Sequence, residues 1–324
     1  MSTVHFDSPP VDDTLGVLFV GLLVATGLYG VLCTQTFIYT QVFDDGWLLK
    51  SLVALVWTFD TLHLVLIGNG VYYYLITNHM NPDALLTSTW TINVHPVVSC
   101  FISFLAQCFF AHRIYRLSEQ SMLVASIVIL LSFTQLGLGI AMSVRAFELV
   151  SFSNLPSAEW LIGSALGLNF MCDSIITIII CFYLHTSKRA AGFKSTKTTL
   201  NTLIIWSMTT GALTSFVAII NLATFLAFPT NLINIGVNIM LAKIYSNSLL
   251  ATLNARRVAQ RLMSRDYIVN LSNLPSGDLI SGDVVFRQEE GPEISQKAGS
   301  LRFSGSSRNM EIREAQSTRS AVEI

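Results

Sequence analysis

Thr14–Cys33 reads TLGVLFVGLLVATGLYGVLC, a stretch with no charged residue and with Leu, Val, Phe, Ala and Gly throughout. An α-helix needs roughly 20 mostly apolar residues to cross a hydrocarbon layer of about 30 Å. Backbone groups in lipid must be satisfied inside their own segment, so a run of this kind folds as a helix and not as an open strand. Six more runs of similar character follow, near Ser51–Leu75, Trp90–Ala111, Met122–Val144, Trp160–Leu184, Leu200–Ala227 and Asn231–Leu250. Only Phe228-Pro229-Thr230 divides the last two. Proline there removes a backbone donor and clashes with the preceding turn, which is where a chain reverses. The expectation is an all-α, polytopic membrane protein with seven transmembrane helices over residues 14–250.

Composition agrees. Only 12% of the 324 residues are Asp, Glu, Lys or Arg, whereas 52% are hydrophobic. The mean hydropathy is +0.57. Soluble domains carry about 25% charged residues. The 19 basic and 20 acidic side chains here cannot cover a water-soluble surface, and a net charge of −1 argues against nucleic acid as a partner. The bilayer is the partner that composition names.

Orientation follows from the loops. Residues 1–13 hold no Lys or Arg but carry Asp7, Asp12 and Asp13, the reverse of the basic leader of a signal peptide. We therefore expect a short extracytoplasmic N-terminus. With that end outside, eleven basic residues flank the membrane on the cytoplasmic side, and Arg145 alone stands opposite. Such asymmetry satisfies the positive-inside rule. The C-terminus is then cytoplasmic. Residues 251–324 form its tail, basic through Arg265 and then rich in Ser, Gly and mixed charge, a composition that does not bury enough apolar surface to fold. Ser264 and Ser304 sit beside arginines, as phosphorylation sites do. Lys188, Arg189, Lys194 and Lys197 make Thr186–Thr199 a basic loop suited, with the tail, to cytosolic protein partners. Plasma membrane is the default location, and an endomembrane is the other.

Ionisable groups inside a span are costly and mark function by default. The second span carries Asp60 and His63, the fifth Asp173, and the seventh Lys243 with Asn234, Asn238, Tyr245 and Asn247 around it. On a helical wheel Asn234, Asn238 and Tyr245 share one face, and Lys243 and Asn247 lie roughly opposite. Three roles fit these residues: a buried ion pair of Lys243 with Asp60 or Asp173, a ligand pocket floored by Asp60, His63, Asp173, Asn238 and Lys243, or a proton or ion relay in a transporter. No phosphate loop, nucleophile elbow or triad spacing is present, and His63, His95 and His112 lack metal-ligand spacing. We expect no enzyme, no cofactor and no metal. All five cysteines fall within or at the ends of spans, which leaves no extracellular disulfide framework.

Certain runs carry a resemblance. Ala242-Lys243-Ile244-Tyr245-Ser246-Asn247-Ser248-Leu249-Leu250-Ala251-Thr252-Leu253-Asn254-Ala255-Arg256 is the most specific, joined by Ser187–Phe193 and Thr210–Ser215. Asp60-Thr61-Leu62-His63 with Tyr72-Tyr73-Tyr74, and Phe109–Tyr115, add to it. Together they resemble a family of fungal, chiefly basidiomycete, seven-span membrane proteins with a C-terminal domain of unknown function. The likeness runs from Leu15 to Arg256, with the domain itself at about Leu166 to Arg256. It implies architecture and location, with no activity or catalytic residue to carry over. The leading functional expectation is a receptor- or sensor-like protein, the alternatives being a small-solute or proton-coupled transporter and a structural membrane component.

The topology is open to direct measurement. A cysteine introduced at Ser2 should react with a membrane-impermeant thiol reagent from outside the cell, and one at Ser304 only after permeabilisation. Equal reactivity of both from one side would overturn the orientation.

Overall fold

The computed structural model describes residues 15–79, 81, 84, 87–118, 121–149, 158–190, 194–228 and 233–272. Among these residues seven α-helices stand in sequence: α1 Val17–Val42, α2 Trp47–Tyr72, α3 Trp90–Leu117, α4 Met122–Leu149, α5 Glu159–Ala190, α6 Lys194–Ala227 and α7 Ile233–Ser272. Six of them, α1 to α6, are long and apolar enough to cross a membrane. The seventh has the length, but Asn234, Asn238, Lys243 and Asn247 make it too polar to qualify on apolarity. Residues 1–13, Ser304 and the tail beyond 272 lie outside the described residues.

Several boundaries differ from expectation, α1 among them, which runs on past Cys33 to Val42. α7 does not stop near Leu250. It continues through Arg265 and on to Ser272, so residues 266–272 are helical and not part of an unfolded tail, and Ser264 is a helix residue. The basic loop is likewise mostly helix. Lys188 and Arg189 stand in the last turn of α5, and Lys194 and Lys197 in the first turns of α6. Nothing in Lys194-Ser195-Thr196-Lys197 breaks a helix, and only 191–193, outside the described residues, separate the two.

Large apolar side chains point away from the protein along most helices. Phe19, Leu23, Phe37, Leu130, Ile178 and Phe216 are all well exposed. Soluble monomers rarely leave contiguous apolar surface of this extent, whereas lipid accepts it. The buried polar residues point the other way, into the bundle. α3 is the most enclosed of the six apolar helices. It packs on α2, α4, α5 and α7, while α7 packs on α1, α2, α3 and α6.

Helix pairs approach closely where side chains are small. A Cβ on Gly21 would stand 3.0 Å from the carbonyl oxygen of Gly236, and one on Gly236 would stand 2.7 Å from Val17 Cγ1. α1 and α7 therefore touch backbone to backbone, the contact that drives association where lipid removes the hydrophobic effect. Below it, Asn247 Nδ2 donates to Leu28 O at 3.0 Å and Asn254 Nδ2 to Gln35 O at 3.0 Å. The two helices thus run parallel for nearly their whole shared length. Within α3, Pro96 interrupts the backbone ladder, and the Val97 N–H turns to Ser143 Oγ on α4 at 3.1 Å. A serine hydroxyl repairing a proline break is one way such breaks are tolerated in membrane helices.

A clasp closes the opposite end. Arg256 on α7 donates from both terminal nitrogens to Asp45, in the turn between α1 and α2, at 3.2 and 2.5 Å. Tyr39 Oη donates to the same carboxylate at 2.8 Å. The guanidinium also lies 4.6 Å from the Phe43 ring centroid. Burial pushes the Asp45 carboxyl up, but the hydrogen bonds from Arg256 and Tyr39 outweigh it and leave the group below the usual carboxylate value. A carboxylate lowered in the folded state stabilises at all pH above its unfolded value, and that stabilisation disappears as pH falls through the folded value.

Asp45→Ala should therefore cost about 1–2 kcal/mol at neutral pH, as loss of a charged hydrogen-bonded partner does. The gap between wild type and variant in thermal unfolding should stay constant above pH about 4, the ordinary Asp value, and shrink below it. A gap that widens in acid would contradict the clasp.

Candidate functional site

Lys243 sits about a quarter of the way along α7, with no exposed surface. Its ammonium donates to Asp60 Oδ2 at 2.9 Å and to the Asp60 backbone carbonyl at 2.7 Å. Ser246 Oγ, one turn on, donates to Asp60 Oδ1 at 2.8 Å. Both carboxylate oxygens are engaged, and neither side chain is accessible. Of the three roles open to these residues, the buried ion pair is the one this geometry fits. A pair this closely matched neutralises itself, so the ion pair joins α2 to α7 and leaves no charge for a ligand. Of the two carboxylates open to Lys243 on sequence, the fold selects Asp60.

His63 is also displaced from the expected pocket. It is fully buried one turn from Asp60, and its ring packs at a tilt of 41° against His95 of α3 with centroids 4.9 Å apart. Neither His63 nitrogen has a hydrogen-bond partner, nor does His95 Nε2. Among the described residues no group of three or more His, Cys, Asp or Glu gathers to hold a metal ion.

The cavity lies elsewhere. A space of about 120 Å³ opens between α3, α4, α5 and α7, where a pocket between α2, α5 and α7 had been expected. Its rim is formed by Arg145 and Leu149 at the end of α4, Ala158 before α5 and Asn234 at the start of α7. All lie at the end of the bundle where α1 begins. Its walls are chiefly aliphatic, with Ile92, Met142, Leu161, Ile162, Ala165 and Leu166. A few polar groups interrupt them: His95, Gln135, Asn169, Asn234 and Asn238. Asn238 is the expected pocket residue that reaches this space, and its Oδ1 accepts from Ser99 Oγ at 3.2 Å. His95 Nε2, Gln135 Nε2 and Asn234 Oδ1 have no partner. Buried polar atoms are normally satisfied, so three orphans around one cavity call for an explanation.

Asp173 belongs to a second, smaller cavity of about 30 Å³ between α3, α5, α6 and α7. Tyr245 links the two spaces. Its hydroxyl contacts Asp173 Oδ2 and Asn169 Oδ1, the latter at 2.5 Å. A second link runs through Gln107, whose Nε2 donates to Gln135 Oε1 at 2.8 Å. Asn169 and Gln135 line the larger cavity, and Tyr245 and Gln107 the smaller. The five residues form one buried polar layer across the bundle. Sequence reading singled out Asp173 and Tyr245 but passed over Gln135 and Asn169. A polar amide every few turns in an apolar helix was the available signal.

Breaking one half of a buried ion pair leaves an uncompensated charge and costs about 3–5 kcal/mol, whereas replacing both halves is often neutral. Lys243→Met and Asp60→Leu should each lower the unfolding temperature of the purified chain sharply, and the double variant should recover most of the loss. Additive losses in the double variant would show that the two residues act separately.

A domain described as a family of unknown function, DUF6534, is found at residues 169–258. This stretch starts within α5 at Asn169 and ends in α7 just past Arg256, close to the domain limits implied by the resemblance. It contains Asp173, Lys243 and Tyr245, and it leaves outside both Asp60, the partner of Lys243, and the hydrogen-bonded pair Gln107 and Gln135. No curated protein matches the chain, and no solved structure matches it. Helical in its described residues, the protein is a multi-pass membrane protein carrying a DUF6534 domain, its activity unestablished.

Proposed function

We propose that the chain is a non-catalytic receptor- or sensor-like protein. On this reading it takes a small, uncharged, largely apolar molecule into the cavity between α3, α4, α5 and α7. The observation that carries the proposal is the cavity itself, aliphatic in its walls and bordered by three unpartnered polar atoms. Apolar pockets with a few placed polar groups are the usual form of small-molecule sites. Size narrows the ligand class. An engineered apolar cavity of about 150 Å³ binds benzene, so about 120 Å³ suits a molecule of roughly that size with one hydroxyl or carbonyl. A free charge is disfavoured, because Arg145, the ionised group of the lining, stands at the rim and is paired with Glu148 at 2.8 Å.

Signalling needs two packings with different ligand affinity. The polar layer of Gln135, Gln107, Asn169, Tyr245 and Asp173 supports such a link, since it adjoins the cavity and crosses four helices. With the N-terminus outside, the rim faces the exterior, and the cytoplasmic ends of α5 and α6, with their lysines and arginine, face the partners. A transport role for Asp60 has less support, because Lys243 and Ser246 already occupy both of its oxygens.

Ala165 lines the cavity wall. Ala165→Leu adds three carbons into that space, and overpacking of a formed core costs typically 1–3 kcal/mol, much less where a void receives the atoms. Wild-type protein in nanodiscs should gain thermal stability with benzyl alcohol or 2-phenylethanol in a saturable way. Ala165→Leu should fold with a similar unfolding temperature and lose that gain. Identical, non-saturating responses in both would place the alcohols in lipid and remove the cavity as a site.

A further inference from the structure

We propose that Asp173 is a proton-binding site within the membrane, and that its proton decides which polar atom of Asn169 faces the apolar cavity. The first half stands on its own, and the second rests on the ligand site proposed above. Asp173 on α5, Asn169 one turn before it and Tyr245 on α7 are all buried. The Tyr245 hydroxyl lies between Asp173 Oδ2 and Asn169 Oδ1, in hydrogen-bond contact with both. Each of these two oxygen–oxygen contacts needs one hydrogen. An amide oxygen has none to give, and a phenol has one. The second hydrogen therefore sits on the carboxyl, so that Asp173 donates to Tyr245 and Tyr245 donates to Asn169.

The surroundings favour the same state. α3 brings the Gln107 amide and, close to Tyr245, the Cys100 thiol. α6 brings the hydroxyls of Ser207, Thr210 and Thr214. On α5 itself the adjacent Cys172 thiol faces Ser132 of α4. None of these is a cation, and Lys243, the ammonium on α7, is taken by Asp60. Among the described residues no ion pair reaches Asp173. An ionised carboxylate left alone in such an interior costs far more than a neutral acid. The small cavity beside it presents chiefly apolar surface, which suits the neutral form.

Loss of the proton reverses the row. It leaves Asp173 Oδ2 for the medium, and no other bond to hydrogen breaks. The Tyr245 hydroxyl then turns to the carboxylate, because hydrogen bonds to an ionised acceptor are the stronger kind. Asn169 Oδ1 and Tyr245 Oη are left facing each other with lone pairs alone. Rotation of the Asn169 amide relieves this, bringing Nδ2 to Tyr245 as a donor and sending Oδ1 the other way. Asn169 lines the larger cavity. With Asp173 protonated, Nδ2 is the atom left to that space, and a ligand carbonyl finds a donor. With Asp173 ionised, Oδ1 takes its place, and the same carbonyl meets an acceptor. A carbonyl ligand thus favours the protonated state, and by reciprocity the proton favours that ligand.

Infrared spectroscopy of the full-length protein in nanodiscs reads the proton directly. Wild type at neutral pH should show the carbonyl band of an un-ionised carboxyl, and Asp173→Asn should lack it. The introduced amide reproduces the neutral acid's donation to Tyr245, so this variant should unfold near the wild-type temperature. Acetophenone accepts hydrogen bonds and donates none. It should bind wild type about tenfold more weakly in mild alkali than in mild acid, the equivalent of about 1.4 kcal/mol. In Asp173→Asn its affinity should not change with pH. Absence of the band in wild type, or its persistence in Asp173→Asn, would overturn the proton site. A band accompanied by pH-independent acetophenone binding would overturn the coupling to Asn169. Should Asp173→Asn fail to fold, Tyr245→Phe takes its place. There the band should remain and the pH response vanish, and a pH response that survives would overturn the coupling. If acetophenone binds at no pH, the cavity fails as a ligand site and the coupling with it, while the band still decides the proton site.

Discussion

Placing an ammonium and a carboxylate in the centre of an apolar bundle is permissible only if each finds the other, and Lys243 and Asp60 do so with no accessible surface on either. The pair contributes little net stability, because removing two charges from water costs about what their attraction returns. Its effect is on geometry. Any rotation or shift of α7 that separates Nζ from Oδ2 exposes two charges to hydrocarbon at once, so α7 has one permitted register against α2. Ser246 and the Asp60 carbonyl tighten that register from two further directions. Everything else on α7 takes its place from it: Gly236 against Gly21, Tyr245 against Asp173, and Arg256 against Asp45.

With α7 fixed, the two cavities are neighbours divided by a polar partition. Gln135 and Asn169 line the larger space, and Gln107 and Tyr245 line the smaller one. Tyr245 has a single hydroxyl proton and two oxygen neighbours, so a change of charge at Asp173 redistributes hydrogen bonds up to Asn169. If occupancy of one space alters affinity in the other by some factor, the reverse influence has the same factor by thermodynamic necessity. No rearrangement of the Asp60–Lys243 register is required for such an exchange.

Helix positions were legible because lipid imposes a simple length and composition rule, and α1 to α6 coincide with the apolar runs to within a turn or two at most ends. Where charge took over from apolarity, reading failed. Lys194-Ser195-Thr196-Lys197 is hydrophilic yet helical, and Asp266–Ser272, of mixed polar and apolar character, is helical as well, since leaving the bilayer does not oblige a helix to stop. The ionisable residues Asp60, Asp173 and Lys243 announced themselves by their cost, but which carboxylate meets Lys243 depends on helix neighbours and depths that one-dimensional spacing does not contain. His63 was grouped with Asp60 by proximity in sequence, and a neighbour on α3, His95, claimed it. The cavity itself was invisible. It is defined by small gaps between Ala165, Ile162 and Met142 on different helices, and by amides that attract less notice than charges. The Asp45–Arg256 clasp was hidden for a similar reason, because both residues looked like ordinary loop and flank charges.

One consequence of α7's uninterrupted course concerns leverage. At 1.5 Å per residue its 40 residues make a rod of about 60 Å, twice the hydrocarbon thickness. The hydrogen bonds that bind it to α1 end at Asn254, and the Arg256 clasp follows immediately. About 24 Å of stiff helix then extends past that fulcrum. Each degree of tilt about the clasp sweeps the far tip by about 0.4 Å over such an arm. Displacements too small to notice among packed side chains are thereby magnified at Ser272, and whatever chain follows is carried along by them.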